Sequence, residues 1–528
     1  MILPRAGKGK VAQEEKTSNR YRYRYGESEA EESLVMILGK EALMSKSVHP
    51  WLRRIGCAYV PGPLTPLLEE TVARLLGRFE RLGHQVQAHP NQATDLILTT
   101  GRLGMPVNWR ESLLFSSRRR FGLSHSPVVY TLVHAYQAEF EGLLTHFANV
   151  LAKKVPDRAD YNFPGLASHA YSLLHAQGQR GGPMLALERL VQAQVKSIRV
   201  VLIVGDDTPN AAYHFDLVGA YPQSKADDLE EFYTDIVLRM VTALSTSEVQ
   251  AHQVIEEPIP RALWDSLTTP EDMRQASQEF GRRNFFSEIA RISDLVHVPA
   301  LSEVMSSQYS EGCFATWDPV LQALIATVTG SARPVDKGNL SEDDLAVIVG
   351  IREDGLGALV RHVAGKRNDP PSSEAVEMIE MDRALPMVTL GPEWGEVAGR
   401  QAPVIRSKLH GHRSVDAYNA ERVEYVPLDV AYYHYPVSCA TEAQAKAIKA
   451  AFARSQALQN PADPRQVVFT ILPGHGVMLA EKWAPGLRPF QLLWESMDAG
   501  HLQLTDRVPQ GPMWYLPGAD GLMVLHSE

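Results

Sequence analysis

The stretch Glu311–Asp336, EGCFATWDPVLQALIATVTGSARPVD, decides how the chain is divided. Glu311 opens it in a Gly/Cys loop. The apolar segment Val320–Val328 reads as a helix, with Asp318 as its N-cap and Pro319 at the first helical position. The turn Thr329-Gly330-Ser331-Ala332-Arg333-Pro334 then delivers a second carboxylate, Asp336. One helix returns the chain near the level of the first acid. Two acids from two loops at one sheet edge could hold a divalent ion or share proton-transfer work. Loop acids are more often simply solvated, so the pair needs support from the rest of the chain.

Upstream, the pattern is strand, helix, strand. Arg54–Val60 is a short apolar strand, and 64–82 is an amphipathic helix with Leu67, Val72, Leu75, Leu76 and Phe79 near helical spacing. Gln85–Ala88, Thr94–Gly101 and Pro127–Val133 read as further strands. This is an α/β doubly wound unit over 49–190. Its Gly101-Arg102-Leu103-Gly104 end lacks the spacing of a dinucleotide fingerprint. Ser197–Asp207 is the most strand-like run in the chain and opens a second unit of the same kind, 191–345, near Ala193. Asp206 and Asp207 stand where open sheets bind ligands, or cap the next turn. Helices are expected over 227–245 and 270–292, and a strand over Asp294–Pro299.

Downstream of 345 the texture becomes β-rich through 346–528. Strands are expected at Asp344–Ile351, Pro386–Gly391, Val404–Leu409 and Gln466–Leu472, with a meander over Arg422–Tyr435 and a helix over Ala440–Gln456. The fold class is therefore α/β: two successive doubly wound Rossmann-like domains, then a β-rich C-terminal domain. Residues 1–48 read as a polar arm. Its Arg20–Tyr25 Arg/Tyr alternation fits a subunit-bridging segment better than base stacking.

The 52 basic and 62 acidic residues give a formal charge of −10, which argues against general nucleic-acid binding. Cys57, Cys313 and Cys439 are far apart and form no CxxC pair, so a reducing, cytoplasmic setting is the simpler expectation. No run of about 18 apolar residues predicts a membrane span, and the first residues lack a secretory pattern.

Three histidine signals remain. His410-Gly411-His412-Arg413 has metal-ligand spacing, but could equally hydrogen-bond backbone in a turn, with Arg413 meeting an anionic ligand. His434 reads as a sheet residue among tyrosines, and Cys439 as a buried thiol. His475 follows an apolar strand and lies between two glycines, where backbone can approach a ligand closely. With two carboxylates it would complete a mixed O/N site suited to Mn²⁺ or a similar ion.

The order of parts resembles the L-fucose/L-arabinose isomerase superfamily. The resemblance is carried by Glu311, by Asp336 after TGSARPVD, by Pro473-Gly474-His475-Gly476-Val477, and by the helix with Gln322-Ala323-Leu324 at its centre. It implies a divalent ion, Mn²⁺ by type, held by Glu311, Asp336 and His475. The implied activity is aldose–ketose isomerisation of a monosaccharide through an ene-diol, with Glu311 and Asp336 moving the proton. His410, His412 and Arg413 would contact substrate hydroxyls, and Asp318 would line the site or replace Glu311 as first acid. The resemblance also implies a homo-oligomer. The chain departs from it in having one histidine in the last loop where the family often has two. Two other classes compete: a non-catalytic sugar- or nucleotide-binding protein on the same scaffold, and a two-domain sugar transferase with Arg118, Arg119 or Arg120 in its cleft.

Overall fold

Ala323–Thr327, the centre of the expected helix, is a strand. It pairs antiparallel with Cys313–Asp318 in a hairpin closed by Asp318 opposite Ala323. The Asp318 carboxylate caps as expected, but it caps a turn. It accepts the Val320 and Leu321 N–H groups at 2.8 and 2.7 Å. It also accepts the Thr269 hydroxyl at 2.6 Å. Gln322 takes φ 53°, a turn conformation that a continuing helix could not contain. All of Ala323–Thr327 is buried. A strand covered on both faces loses its alternation, and a short apolar run then carries no period to separate strand from helix.

The computed structural model describes residues 53–102, 113–125, 127–142, 199–215, 221–222, 228–245, 252–286, 288–289, 309–310, 312–329, 335–429, 432, 440–473, 475–505, 509 and 513–527. The arm 1–48, Glu311, the strand expected at Asp294–Pro299, His434 and Cys439 lie outside them.

The hairpin sits inside a nine-stranded mixed sheet. Its spatial order is Val423–Tyr425, Val467–Leu472, Gly476–Lys482, Ile405–Gly411, Cys313–Asp318, Ala323–Thr327, Leu345–Ile351, Ala358–Val363 and Gln253–Ile259. Only the two outermost pairs are parallel. Side chains alternate between the faces. Phe314 points to one face, against Phe280 of the helix Thr269–Arg282. Cys313 points to the other, toward Ser372 and Glu377. On that second face the helix Ala375–Asp382 packs on the sheet and on the helix Glu442–Ala453. Lys408, two residues before His410, is itself fully buried and reaches the same helix through an ion pair with the part-buried Asp382.

A second sheet has the order Gln85–Gln87, Gly56–Tyr59, Leu96–Arg102, Val128–Ala135, Arg199–Gly205, Pro209–Phe215, Tyr221–Pro222. Its first five strands are parallel and its last two antiparallel. The helix Pro66–Arg81, capped by Thr65 with Pro66 in its first turn, packs against Leu229–Ser245. A smaller antiparallel sheet joins Leu502–Thr505, Ser414–Tyr418, Met523–Ser527 and Met513–Pro517.

The second doubly wound unit is therefore corrected. Arg199–Gly205 pairs in parallel with Val128–Ala135 and completes the first sheet. The nine-stranded sheet draws strands from both sides of the expected 345/346 boundary. An apolar run identifies a central strand, but membership of a sheet is set by pairing with distant strands, which local pattern does not encode. Among the described residues no helix is long and apolar enough to cross a membrane.

Candidate metal centre

His410 is the penultimate residue of the strand Ile405–Gly411, on the face it shares with Cys313, its cross-strand partner. His412 follows the strand end, where the chain turns toward Ser414–Tyr418. His475 sits in the three-residue connection between Val467–Leu472 and Gly476–Lys482, closed by its N–H to the Leu472 carbonyl at 3.0 Å. Two glycines bring the segments together. A Cβ on Gly476 would lie 2.0 Å from the Gly411 carbonyl oxygen, and one on Gly411 would lie 2.3 Å from the Phe285 ring. Neither position has room for a side chain.

The three rings converge. One ligand nitrogen from each of His410, His412 and His475 lies within 4.8 Å of the others. Nε2 of His410 and Nε2 of His475 are 3.2 Å apart, with the rings nearly parallel. Two nitrogens bound at about 2.0–2.1 Å to one tetrahedral ion stand roughly 3.3 Å apart, so this pair already has metal-ligand spacing. The other nitrogen of His410 settles its tautomer. Nδ1 is 3.0 Å from the Val477 carbonyl oxygen, an acceptor only, so Nδ1 carries the proton and Nε2 presents a lone pair to the cluster. A backbone carbonyl holding the outer nitrogen is how metal-ligating histidines are commonly oriented. His410 and His475 are buried and His412 is half-buried, its Nδ1 being closed off from solvent. Arg413 is buried beside it, with Nη1 at 3.5 Å from the Arg283 carbonyl.

The expected site is assembled differently. His475 joins His410 and His412, which sequence reasoning had weighed as ligands but placed with the substrate. Asp336 is exposed; its carboxylate accepts the Gly338 N–H at 2.9 Å within its own loop. That loop is tied to the helix Thr269–Arg282 by Ser277, whose hydroxyl donates to the Lys337 carbonyl and accepts the Leu340 N–H. Among the described residues Asp336 joins no group of three ligand side chains. Asp318 is buried at the far end of its strand from Cys313 and closes the hairpin turn, so it lies away from the histidines. Arg118, Arg119 and Arg120 form the last turn of a helix beside the other sheet.

What the residues provide is a buried three-histidine cluster that could hold a metal ion. Three neutral imidazoles suit Zn²⁺ and other borderline first-row ions, and a donor set with no carboxylate suits Mn²⁺ less well. The signal in the sequence was His-x-His at a strand end together with a Gly-flanked histidine in a tight hairpin. Cys57 and Cys313 are buried free thiols; burial pushes Cys57 up to about 12 and Cys313 well above its ordinary value. No family model, curated protein or solved structure matches the chain.

Proposed function

We propose that His410, His412 and His475 form a mononuclear divalent-metal centre that acts on an oxygen-bearing small molecule. The observation that carries this reading is the 3.2 Å approach of two Nε2 atoms, one of them held in the lone-pair tautomer by Val477. Three histidine ligands with no fourth side-chain donor in the group, among the described residues, are the pattern of a catalytic rather than a structural site. A bound ion supplies Lewis-acid polarisation of a substrate oxygen. The chain's own contribution is to fix three donors at the ends of two adjacent strands and to hold His410 in the binding tautomer. The experiment is metal analysis of the purified protein after loading with Zn²⁺ or Mn²⁺. We expect about one ion per chain, lost in His475→Ala and His410→Ala. Equal ion content in the wild type and both variants would overturn the reading.

Aldose–ketose isomerisation is the reaction we favour for this centre. Cys313 pairs with His410 at one end of the sheet, and Thr327 leaves the same end toward the loop that carries Asp336. An acid on that loop is suited to move a proton between neighbouring carbons of a sugar held by the ion. Exchange of substrate hydrogen with deuterated solvent, dependent on both metal and Asp336, tests it. A metal-loaded protein that exchanges no hydrogen from any aldose would leave the metal centre standing and remove the isomerase.

A further inference from the structure

One buried acid stands on the helix that covers the sheet face carrying His410, outside the three-histidine group. Glu377 is completely buried, and among the described residues neither of its carboxyl oxygens meets the geometry of a hydrogen bond. The nearby Ala440 N–H is committed to Gln444 Oε1 at 3.1 Å. Glu377 stands on the helix Ala375–Asp382, which packs on the strand Cys313–Asp318. It is within electrostatic reach of Cys313, which stands directly across from His410 on the same face of the sheet. The other charged groups on this face are Glu374 one turn earlier, Lys337, and the buried pair Lys408–Asp382. Lys449 from the helix Glu442–Ala453 is engaged with Glu380 at 3.0 Å. Burial first, and the Glu374 charge second, push the Glu377 carboxyl well above the usual range, with the Ala440 backbone pulling the other way.

A divalent ion among three neutral imidazoles leaves two positive charges in a largely dry place. A neighbouring acid that is neutral without the ion becomes favourable as a carboxylate when the ion is present. We propose that Glu377 is the counter-charge of the histidine centre, losing its proton as the ion enters, so that ion uptake and proton release are one event. This rests on the metal reading above. In the step the Glu377 O–H bond breaks, the electron pair stays on the carboxylate oxygen, and the proton leaves toward solvent past the half-buried Glu374. No electron is transferred.

The test is Zn²⁺ titration calorimetry at pH 7 in buffers of different ionisation enthalpy, with wild type and Glu377→Gln. The wild type should release about one proton more per ion than the variant, and its affinity should gain up to about tenfold more per pH unit. Infrared difference spectra of the wild type alone, which do not depend on the variant folding, should lose a protonated-carboxyl stretch on Zn²⁺ addition. Equal proton counts, or an unchanged carboxyl band in protein that binds Zn²⁺, would overturn the proposal and leave the metal centre intact. Absence of Zn²⁺ binding by the wild type would instead remove the metal reading, and this inference with it.

Discussion

Glu481 gives the structure a pH signature that can be worked out in advance. It lies on the strand Gly476–Lys482 and is essentially without solvent contact. Burial pushes its carboxyl from 4.5 up to about 7, with the Ser407 hydroxyl, the Phe490 and Leu493 backbone N–H groups and Arg406 pulling the other way. In the unfolded chain the group ionises near 4.5, while in the fold it keeps its proton until about 7. Between those values the native state binds more protons, so stability falls as pH rises, and it levels off above pH 7. At about 1.36 kcal/mol per pH unit over a span of about 2.5 units, the loss attributable to this group is on the order of 3 kcal/mol. Glu481→Gln keeps the shape and cannot ionise. Urea unfolding followed by tryptophan fluorescence at pH 5, 6, 7 and 8 should show the variant gaining on the wild type by about 2 kcal/mol from pH 5 to pH 7, then levelling off. A wild-type-minus-variant difference that is flat across pH 5 to 7 would refute the reasoning, because Glu481 would then be ionised in the fold or equally protonated in both states.

Other outcomes follow from the same coordinates. Zn²⁺ at about one hundred times its dissociation constant should contribute about 2.7 kcal/mol and raise the melting midpoint by roughly 3 °C, reversed by a chelator and absent in His475→Ala; calorimetry reads this. Gly476→Ala places a methyl group 2.0 Å from the Gly411 carbonyl oxygen, so it should cost at least about 2 kcal/mol in denaturant unfolding and abolish ion binding together with it. Lys408→Met alone leaves Asp382 buried without its partner and should cost about 3–5 kcal/mol, whereas Lys408→Met with Asp382→Leu should recover most of that loss in the same assay.

Much of the fold could be read locally. Pro66–Arg81 declared itself by apolar spacing, Thr65 before it and Pro66 at its start, and the helix Glu442–Ala453 and the strand Val467–Leu472 fell where the pattern put them. What could not be read was pairing. Arg199–Gly205 has the composition of a central strand in any sheet, and its partner Val128–Ala135 is far away in sequence. Ala323–Thr327 was mistaken for helix because both its faces are covered, so no face carried polar residues to mark the period. The site divided in the same way. His475 was legible from its glycines and the strand before it. The union of His410 and His412 with it depends on the register that sets His410 opposite Met478, and on the close passage of Gly411 by Gly476. Paired acids are a familiar ligand set, yet Asp318 serves the hairpin turn and the Asp336 carboxylate accepts a backbone N–H of its own loop.

The contact between Gly411 and Gly476 has a further effect. The strand that carries His410 is the hydrogen-bonded neighbour of the strand that His475 immediately precedes, and at this point their backbones are pressed together with no side chain between them. The gap between the two imidazoles is thus set by a strand on one side and by a short connection anchored to its neighbour on the other. Such a gap cannot widen to follow a larger ion, whose longer bonds would have to be met by prising strands apart. For an ion held by the proposed centre, the sheet would then act as a gauge of ionic radius, favouring small, tightly bound cations before any difference in ligand chemistry is felt.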